Sequence, residues 1–117
     1  MSSAAKSVFG FGIYIAFMGL SLIFIPGVIL PPFGFAVPQE VWVRVLGLLA
    51  LALSSYYFLC ARENVVPFFR MSVWGRAGFG IGMIILGLVT PGSLGLVAFA
   101  LVDLAGAAWT WWALRQP

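Results

Sequence analysis

Asp103 lies in the stretch "LVDLAGAAWT" at 101–110 and is one of three acidic residues in the chain, the other two being Glu40 and Glu63. A charged aspartate in the middle of a bilayer-spanning helix costs about 2.5–3.5 kcal/mol on insertion scales. It must therefore be neutral, hydrogen-bonded or paired. Arg44 is one candidate partner, starting about 5 Å inside the opposite end of its own apolar segment with a side chain long enough to reach inward. Arg76 competes from the other side. Three roles for Asp103 stay open: a carboxylate satisfied by the protein that sets helix register, a proton relay or substrate ligand, and a contact to another subunit. Ionisable groups inside a membrane are functional candidates by default.

Little other chemistry is available. The chain has no histidine and one cysteine. His-ligated haem, cysteine-ligated iron–sulfur clusters and ordinary zinc sites need residues it lacks. So do the Ser–His–Asp and Cys–His arrangements of nucleophilic catalysis. A lone carboxylate cannot run the two-acid chemistry of glycoside hydrolysis, and no second acid is close in sequence. No catalytic residue, metal ligand or cofactor motif is assigned. Cys60 cannot form an intrachain disulfide and reads as a small buried hydrophobe or, less simply, a membrane-end acylation site. Glu63, beside Arg62, reads as a solvated loop charge.

The elements that position these residues follow from composition. Of 117 residues, 63% are hydrophobic and 8% charged, with a mean hydropathy of +1.14; a soluble domain is about 45–50% apolar. So short a chain cannot enclose that much apolar surface, so lipid must cover it. The net charge is +3, but the basic residues are scattered and no cluster offers a face to nucleic acid. A spanning helix takes about 20 apolar residues. Segments at about 8–25, 41–61, 72–90 and 94–114 qualify, which predicts an all-α, integral membrane bundle of four helices in one domain. The first is too long for the core of a cleaved signal and is read as retained.

Pro26-Gly27 closes the first segment, and "VTPGSLG" makes a short turn between the third and fourth. "ARENVVPFFRMS" is the one hydrophilic loop. "GVILPPFGFAVP", residues 27–38, is apolar but too rich in proline and glycine for a regular helix. Unpaired backbone is not tolerated in lipid, so this stretch is expected in the headgroup region or tucked against the bundle, with a re-entrant or partner-docking role as the alternative. "RVLG" at 44–47 and "DLAG" at 103–106 form a faint echo, as two duplicated hairpins would.

With four spans, Lys6, Arg62, Arg70, Arg76 and Arg115 fall on one side and Arg44 near the other, close to Glu40. The positive-inside rule then places both termini in the cytoplasm. Trp42 marks the outer boundary; Trp74, Tyr56, Tyr57, Trp111 and Trp112 mark the inner one. Arg62, Arg70, Tyr56, Tyr57, Trp74 and Trp109 are candidate contacts to lipid or a partner, with Arg70 and Arg76 able to bracket an anionic headgroup. Each segment also has small residues on one face: Gly12 and Gly19, Gly47, Gly78 and Gly82 in GxxxG spacing, and Gly106. Such faces let membrane helices approach closely, within one chain or between chains.

"WVRVLGLLALALSSYYFLCAR", "PFFRMSVWGR" and "LVDLAGAAWTWWALR" together resemble uncharacterised bacterial four-helix inner-membrane proteins, loosely DoxX-like. Arg44, Tyr57, Arg62, Arg76 and Asp103 carry the likeness, which implies a compact bundle of the bacterial inner membrane and assigns no activity. The expected role is a non-enzymatic accessory or structural subunit packed against a larger membrane complex or against itself. The alternative is a binder or carrier of a lipid, quinone or other hydrophobic molecule between the helices, with Arg44 and Asp103 as its polar groups. A homo-oligomeric channel comes third, because no helix carries a continuous polar stripe.

Overall fold

The computed structural model describes residues 1–36 and 41–115; Glu40 and the last residues of the 27–38 stretch lie outside them. The described residues are helical, with no strand among them. Four helices are long and apolar enough to cross a membrane: α1 (Ser3–Phe24), α3 (Trp42–Arg62), α4 (Val66–Val89) and α5 (Gly95–Leu114). Two single turns follow α1: a short helix α2 (Pro26–Ile29) and a 3-10 turn at Pro31–Phe33. At about 1.5 Å per residue each long helix matches a hydrocarbon core about 30 Å thick.

The helix ends have local causes. α1 begins five residues earlier than its apolar run because the Ser2 hydroxyl accepts the Ala5 amide at 3.1 Å and caps the first turn. α4 begins six residues earlier than expected. Pro67 sits in its first turn, where no amide donor is needed, so the expected hydrophilic loop shrinks to Glu63–Val65. Asn64 turns the chain there at φ 52°, a conformation asparagine tolerates, and its Oδ1 accepts from Ser2 Oγ at 2.9 Å. Gly92, at φ 78°, makes the α4–α5 turn.

From Pro26 to Ala36 the proline-rich stretch tucks against the bundle in two regular turns. Prolines open both of its turns, at N-terminal positions they suit. Gly34 ends the second at φ 85°. The Phe33 ring then lies 4.4 Å and the Phe35 ring 6.5 Å, centre to centre, from Phe99 on α5. The Gly95 backbone sits directly against the Phe33 carbonyl.

Packing is by pairs. α1 lies along α3, α4 lies along α5, and α1 against α5 joins the two hairpins, while α3 and α4 hardly meet although they are consecutive. Gly19 and Gly47 let α1 and α3 cross almost backbone to backbone: a Cβ on either would come within 2.8 Å of the other's carbonyl oxygen. Gly12 takes Tyr57 and Phe58 in the same way. On α4 the packing glycines are Gly80, against Leu104, and Gly87, against the Ser93 carbonyl and Leu96. Gly78 and Gly82, the GxxxG pair expected to pack, meet nothing within 4 Å. They stand on the other side of the helix from Gly80 and Gly87, because residues two apart in a helix do not share a face. The core proper gathers near the chain termini, where Ala5, Val8, Phe11, Ala61, Phe69 and Ala113 are buried.

Candidate functional site

With α3 and α4 apart, a long apolar groove of about 820 Å³ runs between them. Leu46, Leu49 and Leu53 of α3 form one side and Phe79 and Met83 of α4 the other. Ile15 and Met18 of α1, with Leu96 and Phe99 of α5, form the floor. Leu30 and Phe35 of the tucked stretch, with Trp42, reach it at one end. Towards the other end stand Phe11, Tyr14, Tyr57, Arg76 and Asp103.

Arg76 is 4% exposed and Asp103 8%. Both sit near the middle of their helices: Asp103 about 12 Å along α5 from Gly95, and Arg76 about 15 Å along α4 from Val66. Arg76 is therefore an interior residue. It cannot bracket an interfacial headgroup with Arg70, and it does not contribute to the basic belt at the membrane surface.

The arginine is held by a directed chain of hydroxyls. Its Nε donates to the Ser72 carbonyl at 3.2 Å, and its Nη2 donates to Ser72 Oγ at 3.1 Å and Thr110 Oγ1 at 2.7 Å. Ser72 spends its own proton on the Phe69 carbonyl, at 2.8 Å, and Ser7 spends its proton on Ala4, at 2.7 Å. A hydroxyl has one proton to give, so Thr110 must donate to Ser7 across the 2.8 Å between them. The chain runs Arg76 to Thr110 to Ser7 and ties α4, α5 and α1 together. The guanidinium also lies over the Phe11 ring at 4.6 Å and near Tyr57 at 5.8 Å, a cation–π arrangement that offsets desolvation. Gly106 makes room for it, since a Cβ there would come 2.6 Å from the Phe11 ring and 3.3 Å from Nη1. Of the five guanidinium N–H groups, the two on Nη1 have no acceptor.

Asp103 is unpaired. Among the described residues it accepts no hydrogen bond, and no basic group lies within the 4.0 Å of an ion pair. It is not a carboxylate satisfied by the described protein, and Arg44 is not its partner. The Arg44 guanidinium reaches back to donate to the Ile23 carbonyl at the end of α1, where it caps a helix C-terminus. Arg76, Tyr14 and Tyr57 line the same groove as Asp103.

The remaining candidates separate by burial. Tyr57 is 5% exposed and lines the groove, so it is no interfacial anchor. Tyr56 and Trp74 are exposed, and so are Arg62 and Arg70. The two arginines stand near helix ends, as interfacial residues would. Trp74 lies about 12 Å along α4 from Val66, almost as deep as Arg76, and is no boundary marker. Trp109 is half exposed and lays its other edge on Gly10. Cys60 is half-buried against the core. Sequence reading missed Ser7, Ser72, Tyr14 and Phe11. Ser72 and Arg76 carried one usable signal, their i, i+4 spacing on a single helix face. The others become site residues only through α1 and α5 packing against α4. No group of His, Cys, Asp or Glu able to hold a metal occurs among the described residues. No protein-family model, characterised protein or solved structure matches the chain.

Proposed function

We propose that the protein binds a hydrophobic small molecule, a lipid, quinone or comparable amphiphile, in the groove between α3 and α4. The observation that carries this reading is a large apolar groove ending at two buried charged groups that do not pair with each other. Its volume of about 820 Å³ falls in the range of small-molecule sites, roughly 300–1,000 Å³. Its walls are apolar, with few polar groups to orient an occupant, as such sites require. The polar pair is Arg76 and Asp103, in place of Arg44 and Asp103. The gap between α3 and α4 offers entry from the side, through the bilayer.

A second reading, the accessory or structural subunit, draws on a different observation. Gly78 and Gly82 leave one face of α4 bare, and small-residue faces serve helix association between chains as well as within one. A channel draws less support, because the groove walls are apolar between their two charged residues. In either favoured reading the protein acts without catalysis, in the inner membrane of a bacterium, as its likeness to DoxX-like proteins implies, and does not engage nucleic acid. Lys6, Arg62, Arg70 and Arg115 gather at the end of the bundle that holds the termini, against Arg44 at the other. This supports cytoplasmic termini.

Native mass spectrometry of the protein released gently from its own membrane tests the proposal. The binder reading expects monomer or homo-oligomer masses, multiples of 12.6 kDa, carrying a small-molecule adduct. A protein-sized increment with no small adduct would overturn it in favour of the accessory subunit.

A further inference from the structure

We infer that the occupant of the groove is a single-chain amphiphile with an uncharged, hydroxyl-bearing head, which donates a hydrogen bond to Asp103 at the middle of the bilayer. This rests on the reading of the groove as a binding site and adds the chemistry of the head.

Asp103 and Arg76 are both more than nine-tenths buried, both line the groove, and they do not meet. The guanidinium cannot simply swing across to close the gap. Three hydrogen bonds to Ser72 and Thr110 hold it, and Phe11 covers its face. Asp103 is thus left without a donor among the described residues, while Nη1 of the same guanidinium is left without an acceptor. A buried carboxylate without a partner is costly, so a hydroxyl brought to it supplies what the fold leaves out.

The net charge of the pair selects against charged heads. With an occupant's hydroxyl donated to it, Asp103 is hydrogen-bonded and keeps its charge, so one positive and one negative group stand on the same wall. An anionic head beside Asp103 meets like charge, and a cationic head meets the fixed guanidinium, and opposed like charges suppress wrong partners. A neutral hydroxyl escapes both penalties: it gives its proton to the carboxylate and turns its lone pairs to the positive side. Depth acts in the same direction, since a neutral polar head is far cheaper to bring to the bilayer middle than an ion. The tail has room as well. From Tyr57 back to Trp42 the α3 wall extends about 22 Å, lined in between only by leucine, alanine and valine side chains.

Three probes with the same C18 tail test the inference: 1-monooleoylglycerol, oleate and oleylamine, each added to the delipidated full-length protein in detergent and counted as adducts by native mass spectrometry. The expected order puts monooleoylglycerol about tenfold or more above both charged probes. In Asp103→Asn, which keeps shape and removes the negative charge, oleate should rise to become the preferred probe, because the guanidinium is then unopposed. Circular dichroism confirms that the variant keeps its helices. Should that variant fail to fold, Tyr14→Phe provides the control of a groove residue that keeps both charges and the same order. Oleylamine as the preferred probe of the unaltered protein would overturn the inference, since Asp103 would then act as a lone anion. Equal binding of all three probes, unchanged by Asp103→Asn, would also overturn it while leaving the binder reading intact. Binding of none would sink the binder reading itself.

Discussion

Arg76 shows how a buried charge is made tolerable in a membrane. Its charge is spread through three donated hydrogen bonds and an aromatic face, and each hydroxyl in the chain from Thr110 to Ser7 has one direction of donation open to it. The network depends on Thr110 as its relay. Thr110→Val keeps the shape and deletes the hydroxyl, leaving Nη2 one acceptor short and Ser7 without its donor. Unsatisfied buried groups cost about 1–3 kcal/mol, so thermal unfolding in detergent, followed by circular dichroism, should show a clear drop in midpoint. An unchanged midpoint would mean the chain of hydroxyls does not support the fold. Gly106 acts on the same group sterically. Gly106→Val sets a side chain into the Phe11 ring and the guanidinium, and overpacking of this kind costs about 1–3 kcal/mol. Asp103 was legible in the sequence as an exceptional residue. Its lack of a partner was not, because Arg44 and Arg76 were both within side-chain reach on helical rise alone.

At the scale of helices, the glycines divide by what faces them. Gly19 and Gly47 oppose each other's carbonyl oxygens, and backbone cannot move aside as a side chain can. Gly82 faces open space. Gly19→Ala should therefore destabilise the protein, by about 1–3 kcal/mol. Gly82→Ala should be neutral or stabilising, by up to about 1 kcal/mol, because alanine favours the helix over glycine. The pair of variants, compared by unfolding in the same detergent, checks the packing directly, and a destabilising Gly82→Ala would place a contact on that face. Spacing alone could not tell which pair on α4 packs within the chain. "GRAGFGIGMIILG" offers glycines on opposite faces of one helix, and only the position of α5 chooses Gly80 and Gly87 over Gly78 and Gly82. The α3–α4 loop was misjudged for a related reason: proline at 67 reads as a breaker in the middle of a helix and as a starter in its first turn.

Across the whole molecule, the two hairpins meet mainly along α1 and α5, with Phe11 and Tyr57 also touching Arg76 and Phe68 of α4, and the groove is what remains between α3 and α4 beyond those contacts. Leu53 lines it while remaining partly exposed. Leu53→Trp should fill the groove and abolish small-molecule adducts, with stability changed by no more than about 0.5 kcal/mol, as is usual away from the core. Adducts that persist in this variant would place the occupant elsewhere. The many apolar side chains on the outer surface, among them Phe17, Leu48, Ile85 and Leu101, need no protein partner, because lipid solvates them.

Composition and the lengths of the apolar runs were enough to establish an all-helical chain with four membrane-spanning segments. Only helices satisfy their own backbone within a span, so the number of long apolar runs counts the elements. The want of histidine and of paired cysteine limited the chemistry for the same reason, since a residue type that is missing cannot be supplied by folding. Which helix faces meet was left to the tertiary structure. Hydrophobicity does not distinguish a lipid-facing leucine from a groove-lining one, so periodicity loses the contrast that orients helices in water. Close approach of Gly19 to Gly47, separation of α3 from α4, and the hold of Thr110 on Arg76 decided where the polar residues stand. Those contacts between distant segments leave Asp103 open to a groove instead of paired.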